Sequence, residues 1–214
     1  MAYPAGCCEM DKTNLWTIRH WQQWKEFEHS GILRTDQSRI WPDFLPAYQW
    51  MIHQMKTRIG EPPAGVTHPV WAWYQWYDDK RRLPDLRYRA HLDKGEAGVR
   101  IEFTKPVDQI LLSDFHLWHL PLCYKGYIGD NEDDTSEFKD RLHCELKEAG
   151  IAVGDFENYP PEARAKIEKS WERVFDPGFI DPYWGGDWSN RSLQATLWQV
   201  SLDEVVKVTR FTAR

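Results

Sequence analysis

Apolar positions along this chain recur with two periods, and they divide it into helical and extended segments. A stripe at every third or fourth residue predicts an amphipathic helix, and strict alternation predicts a half-buried strand. Leu15-Trp16-Thr17-Ile18 reads as a short strand. It runs into a helix over 20–30, where Trp21, Trp24, Phe27 and Glu28 keep helical spacing and Gly31 supplies the stop. Phe44, Tyr48, Met51, Ile52, Met55 and Ile59 share one stripe, which predicts a helix over 44–59 that Gly60-Glu61-Pro62-Pro63 ends. Val70 to Tyr77 is β-branched and aromatic, apolar on both faces, the make-up of a central strand. After a charged loop bearing Pro84 and Asp85, Val99, Ile101 and Phe103 alternate with Arg100, Glu102 and Thr104.

Ile110-Leu111-Leu112 predicts another short strand, running into a helix start at Ser113-Asp114-Phe115-His116 with Ser113 or Asp114 as cap. Two helices follow. Asp134 can cap the first, with Glu137 three residues on and Phe138, Leu142 and Leu146 lining a face before Gly150. Pro161 opens the second, with Ile167, Trp171, Val174 and Phe175 periodic before Asp176-Pro177-Gly178. Residues 176–190 form a long Gly-, Asp- and Trp-bearing loop of a kind that often closes over a site. Residues 192–200 and 204–212 make a final pair of strands joined by Ser201-Leu202-Asp203. Helices and strands are interspersed without strict βαβ alternation and without repeats. The expected architecture is one α+β domain over 13–214, with a mixed or mainly antiparallel sheet flanked by helices, after a flexible tail at 1–12.

Composition adds one strong feature, thirteen tryptophans in 214 residues. They fall in frames such as Trp21-x-x-Trp24, Trp71-x-Trp73-x-x-Trp76 and Trp184-x-x-x-Trp188. Each is a large apolar plate with one N–H that needs a partner when buried. They imply an aromatic core, a stacking pocket, or both. Net charge is −6, so the basic footprint of a nucleic-acid binder is absent, although such a partner remains possible. Seven basic and five acidic residues lie within 71–100, against three basic and eight acidic within 130–148. Two solvated faces are the plain reading; the sharper one has arginines beside the tryptophans holding a phosphate. Cys7, Cys8, Cys123 and Cys144 show neither zinc nor disulfide spacing. With no apolar run near ~20 residues and no secretory signal, the expectation is a cytoplasmic protein with reduced thiols and no membrane partner.

Candidate chemistry is sparse. Asp114, His116, His119 and Cys123 suggest a metal, since 116, 119 and 123 would share a helix face. Pro121 interrupts that helix, so no metal is expected. Asp114 and His119 are instead kept as polar substrate-binding candidates, beside a plainer reading as a buried unit in which Asp114 caps the helix. No nucleophile elbow or P-loop is present, and Glu102 and Glu172 are ordinary carboxylates.

The opening Leu15-Trp16-Thr17-Ile18-Arg19-His20, then a helix, then Gly31-Ile32-Leu33, resembles the entry of ADP-ribosyltransferase-like folds. The resemblance implies an enzyme that transfers a glycosyl group from NAD. His20 would then orient the ligand, with Arg19 as the alternative. Tyr48, Trp71 and Trp73 would stack on a nicotinamide or base. The last strands of such folds supply a catalytic glutamate, and here Gln194 stands instead, which can hydrogen-bond a ribose hydroxyl but carries no charge. Over residues 14–213 the chain also resembles an uncharacterised bacterial family of domains of unknown function of about 200 residues. Segments carrying that likeness include Tyr48-Gln49-Trp50-Met51, Val70-Trp71-Ala72-Trp73, Ser170-Trp171-Glu172-Arg173-Val174-Phe175 and Gln194-Ala195-Thr196-Leu197-Trp198. Three functions are therefore in play. They are a nucleotide- or NAD-processing enzyme with NAD as substrate, a non-catalytic nucleotide or nucleic-acid binder, and a protein-interaction module.

Overall fold

The computed structural model describes residues 11–180 and 187–214. Most of the expected tail, and residues 181–186 of the long loop with Trp184, lie outside the described residues. Chain order is β1 (Lys12–His20), α1 (Trp21–Ser30), β2 (Ile32–Leu33), α2 (Leu45–Ile59), β3 (Val70–Gln75), β4 (Ala97–Pro106), β5 (Leu111–Asp114), α3 (Phe115–His119), α4 (Glu132–Ala149), α5 (Pro161–Ser170), β6 (Leu193–Leu197), β7 (Val200–Ser201) and β8 (Val205–Thr212). The fold is α+β. Strand β1 begins at Lys12, so it takes in the end of the expected tail.

Six strands form one sheet in the order β5-β6-β3-β1-β4-β8, and every pairing in it is antiparallel. Strand β3 is central, as its two apolar faces require. Val70 and Ala72 join one buried cluster with Trp24, Phe27 and Ile101, whereas Trp71 packs against the other with Trp50, Trp118 and Trp171. Because successive side chains of a strand face opposite ways, the two clusters lie on opposite faces of the sheet. In β4 the alternation behaves as expected, with Val99, Ile101 and Phe103 buried and Arg100, Glu102 and Thr104 half-buried.

The two closing strands do not pair with each other. Strand β6 sits between β5 and β3, β8 runs along the far edge beside β4, and β7 leaves the sheet to pair with β2. Burial explains the split. Apart from Gln194, every residue of β6 is buried, whereas none of β8 is, and a polar strand is tolerated at an edge but not inside a sheet.

Helix ends follow local chemistry. Gly31 takes a left-handed conformation (φ 76°) and its N–H closes α1 onto the Phe27 carbonyl at 2.8 Å. The cap of α4 is Asn131, not Asp134: its side chain accepts from the Asp134 N–H at 2.9 Å. The Asp134 carboxylate instead accepts from the Asp130 N–H (3.0 Å) and the Tyr127 hydroxyl (3.1 Å), which draws it below the ordinary range. Past Ser170 the stripe that began in α5 tightens into a 3-10 turn, Trp171–Phe175, with Trp171 and Val174 fully buried.

Gly129 packs against the first turn of α4 where no side chain fits. A Cβ there would lie 2.3 Å from Thr135 Oγ1 and 2.7 Å from the Thr135 backbone nitrogen. Overpacking of this kind costs about 1–3 kcal/mol, so Gly129→Ala should lower stability by that amount in urea unfolding.

Candidate functional site

The cleft at the Arg19 end of β1 follows from how the strands pair. Strand β1 pairs with β4 along its whole length, Lys12↔Pro106 to His20↔Gly98, but with β3 only at Trp16↔Trp73. The Thr17 hydroxyl adds one bond to the Trp71 carbonyl at 3.0 Å. Beyond it β1 and β3 part, and a cleft of about 910 Å³ opens there. Ile18, Arg19, His20, Tyr48 and Trp71 line it, together with Gln22, Gln23 and Glu26 of α1 and the segment Arg34 to Ile40 in part.

Arg19 is the unusual member. As a residue it is half-buried, yet its Nε has no contact with solvent and no hydrogen-bond partner. No described carboxylate pairs with it. Removal from water holds the guanidinium down at about 10, Tyr48 opposes this, and the nearby Arg39 charge adds to it. The group is cationic at neutral pH all the same. A cation partly removed from water with no carboxylate partner is costly.

Its aromatic neighbours in the cleft are Tyr48 and Trp71. Tyr48, four-fifths of a turn into α2, meets Trp71 edge-on with ring centroids 6.0 Å apart. Burial pushes the Tyr48 hydroxyl up in pKa, against the pull of Trp71 and Arg19. The Trp71 indole N–H is buried without a well-formed hydrogen bond, although the Tyr48 hydroxyl is close enough to feel it. Helix α1 begins at the cleft and has no acidic residue in its first turn, so its positive end is not cancelled internally.

His20 lies at the mouth. Its Nδ1 is 3.4 Å from Glu96 Oε2, and the two side chains are 47% and 41% exposed. Its backbone N–H donates to Gln23 Oε1 at 3.3 Å.

The other anticipated residues go elsewhere. Gln194 and Trp73 face each other across β6 and β3, and neither lines this cleft. Trp73 packs on Trp76 and Phe115, at 4.6 and 4.9 Å. Asp114 is 0% exposed. One of its oxygens accepts from the His116 and Leu117 N–H groups, at 2.8 and 3.0 Å, and the other from Arg191 Nη1 at 2.7 Å. Both oxygens are used, so the substrate-binding role for Asp114 gives way to the capping one. His119 Nδ1 meets the Phe115 carbonyl at 2.8 Å and its ring stands edge-on to Phe115. Among the described residues no cluster of three or more His, Cys, Asp or Glu could hold a metal ion.

Most of the tryptophans make core. Trp50 touches Trp118, Trp171 and Phe175 at 5.5 to 6.4 Å, and Trp71 bridges this cluster to the cleft by contacting Trp118 at 5.2 Å. Four of the five arginines in 71–100 are engaged within the fold. Arg81 donates to the Tyr74 carbonyl and Thr13 and lies 3.9 Å over the Tyr74 ring. Arg82 pairs with Asp78, Arg87 with Asp85, and Arg100 holds the Pro84 carbonyl.

Sequence reasoning overlooked Glu26, Arg34 and Arg39. The acid-free start of α1, Trp21-Gln22-Gln23, was the available signal, because first turns favour Asp and Glu. No helix of the described residues is long and apolar enough to cross a membrane. Neither the curated proteins nor the solved structures contain a match to the chain. Residues 14–206 match a family model whose description is Domain of unknown function (DUF3841), and the protein belongs to that family.

Proposed function

We propose that the Arg19 cleft binds a small anionic ligand with a flat ring, a nucleotide such as NAD or ADP-ribose. The observation that carries this reading is the Arg19 guanidinium, its Nε unbonded and no described carboxylate paired with it, beside Tyr48 and Trp71 in an open cleft. A phosphate would supply the missing charge and acceptors, the α1 N-terminus would add to its field, and the Tyr48–Trp71 wall would take the ring. A volume of about 910 Å³ falls within the range of small-molecule sites, about 300–1,000 Å³.

Turnover of NAD is a second reading, favoured by His20 beside Glu96 at the cleft mouth. There an oxygen nucleophile would displace nicotinamide from the ribose carbon, giving its proton to His20. Gln194 has no part in it, since it does not line the cleft.

Tryptophan fluorescence separates these readings, because Trp71 forms the wall. NAD, ADP-ribose and AMP should each quench emission saturably in the micromolar to millimolar range, and raising salt should weaken binding. Nicotinamide release from NAD, lost in His20→Ala with quenching intact, would establish turnover. Absence of quenching by all three ligands would sink the nucleotide reading.

A further inference from the structure

Resting on the nucleotide reading, we propose that the cleft selects a diphosphate over a monophosphate, with the Glu26–Arg39 ion pair as an internal competitor that the second phosphate displaces. Three guanidinium groups, Arg19, Arg34 and Arg39, line the same cleft against two carboxylates, Glu26 and Asp36. Their commitments differ. Among the described residues Arg19 has no carboxylate partner, and its Nε makes no hydrogen bond. Arg34 is steadied from one side, its Nε donating to Gln199 Oε1 at 3.3 Å. Asp36 is occupied by the backbone of its own turn, accepting from the Ser38 N–H at 2.9 Å. Arg39 alone is neutralised by a carboxylate, Glu26 Oε2, at 3.2 Å.

That pair is loosely held. Its side chains are 48% and 51% exposed and joined by one hydrogen bond rather than a two-pronged contact, and exposed pairs of this kind contribute little. A phosphate oxygen offers Arg39 a more charged acceptor. Arg39 is also near enough to Arg19 for their charges to repel, so a ligand that brings a phosphate to each relieves the repulsion. One phosphate at Arg19 and the α1 N-terminus satisfies the first group alone. A second is needed to draw Arg39 off Glu26.

AMP and ADP, which share base and ribose, test this in magnesium-free buffer by calorimetry on the full chain. ADP should bind about tenfold more tightly than AMP, as expected of one additional charge-assisted contact. Glu26→Gln removes the competitor and should strengthen ADP about three- to tenfold while changing AMP by less than about twofold. Arg39→Gln should erase the ADP preference, with AMP affinity changing by less than about threefold. Melting temperatures of both variants should stay within about 2 °C of the wild type, because both side chains are half-exposed. Equal affinity for AMP and ADP, or an ADP preference that survives Arg39→Gln, overturns the selectivity while leaving the nucleotide site standing. Failure of the wild type to bind either ligand overturns both.

Discussion

Arg19→Met is expected to melt about 3–8 °C higher than the wild type while losing most of its affinity for nucleotide. The reason is that the folded chain holds this guanidinium where it is least welcome. Burial depresses it to about 10, so the unfolded state binds its proton more tightly. Relative to a neutral side chain, that difference penalises the folded state at every pH below about 10, the whole physiological range, and fades only as pH rises through it. Because Arg19 retains some exposed surface, the penalty is discounted to about 1–3 kcal/mol. Methionine keeps the aliphatic stem that packs in the strand and removes only the charge. Nucleotide affinity should fall at least about tenfold, the value of one lost charge-assisted contact. Differential scanning fluorimetry and calorimetry on one preparation measure both effects. A variant that melts below the wild type would show that the guanidinium supports the fold, and the case for a ligand there would fail.

Asp114→Ala should produce the largest loss of stability, about 3–5 kcal/mol. Asp114 and Arg191 are 0% and 4% exposed and meet at 2.7 Å. Removing the carboxylate takes an ion-pair partner from a buried guanidinium and the cap from the His116 and Leu117 amides. Arg191→Met leaves the buried carboxylate with its two amide donors but without its counter-charge, and should be of similar size. The double variant should recover part of the loss, because replacing both charges by apolar groups is often neutral. Guanidinium unfolding reads all three. Nucleotide binding by the folded fraction should not change, since neither side chain lines the Arg19 cleft. A loss under about 1 kcal/mol in Asp114→Ala would mean the pair is dispensable, and a role for Asp114 outside the scaffold would have to be sought.

The expectations that held were those resting on period and on neighbours in the chain. Trp24 and Phe27 lie one helical turn apart and both are buried in α1; Met51 and Met55 repeat the pattern in α2. Pro161 opens α5 and Gly31 closes α1, because a fixed φ and a left-handed φ are properties of single residues. Where two neighbours could do the same task, the local rule did not choose. Asp134 and Asn131 are both good caps, and the selection of Asn131 follows from Asp134 being engaged by Tyr127 and Asp130.

Of the eight residues anticipated for a site, four line one cleft and four do not. Arg19, His20, Tyr48 and Trp71 do meet at one cleft. Gln194 and Trp73 were joined to them by analogy of position, and the strand order puts that pair elsewhere. Asp114 looked like a ligand because its partner, Arg191, is 77 residues away.

Composition and periodicity alone determined the helices, most strands, the α+β class and an aromatic-rich interior, because these depend on how a residue suits water and its nearest neighbours. Tertiary structure decided which tryptophan faces a cleft, which arginine has a carboxylate and which has none, and that β1 and β3 part beside Arg19. Those are facts about pairs far apart in the chain, and a charge becomes costly, and hence informative, only when the fold removes it from water without supplying a partner.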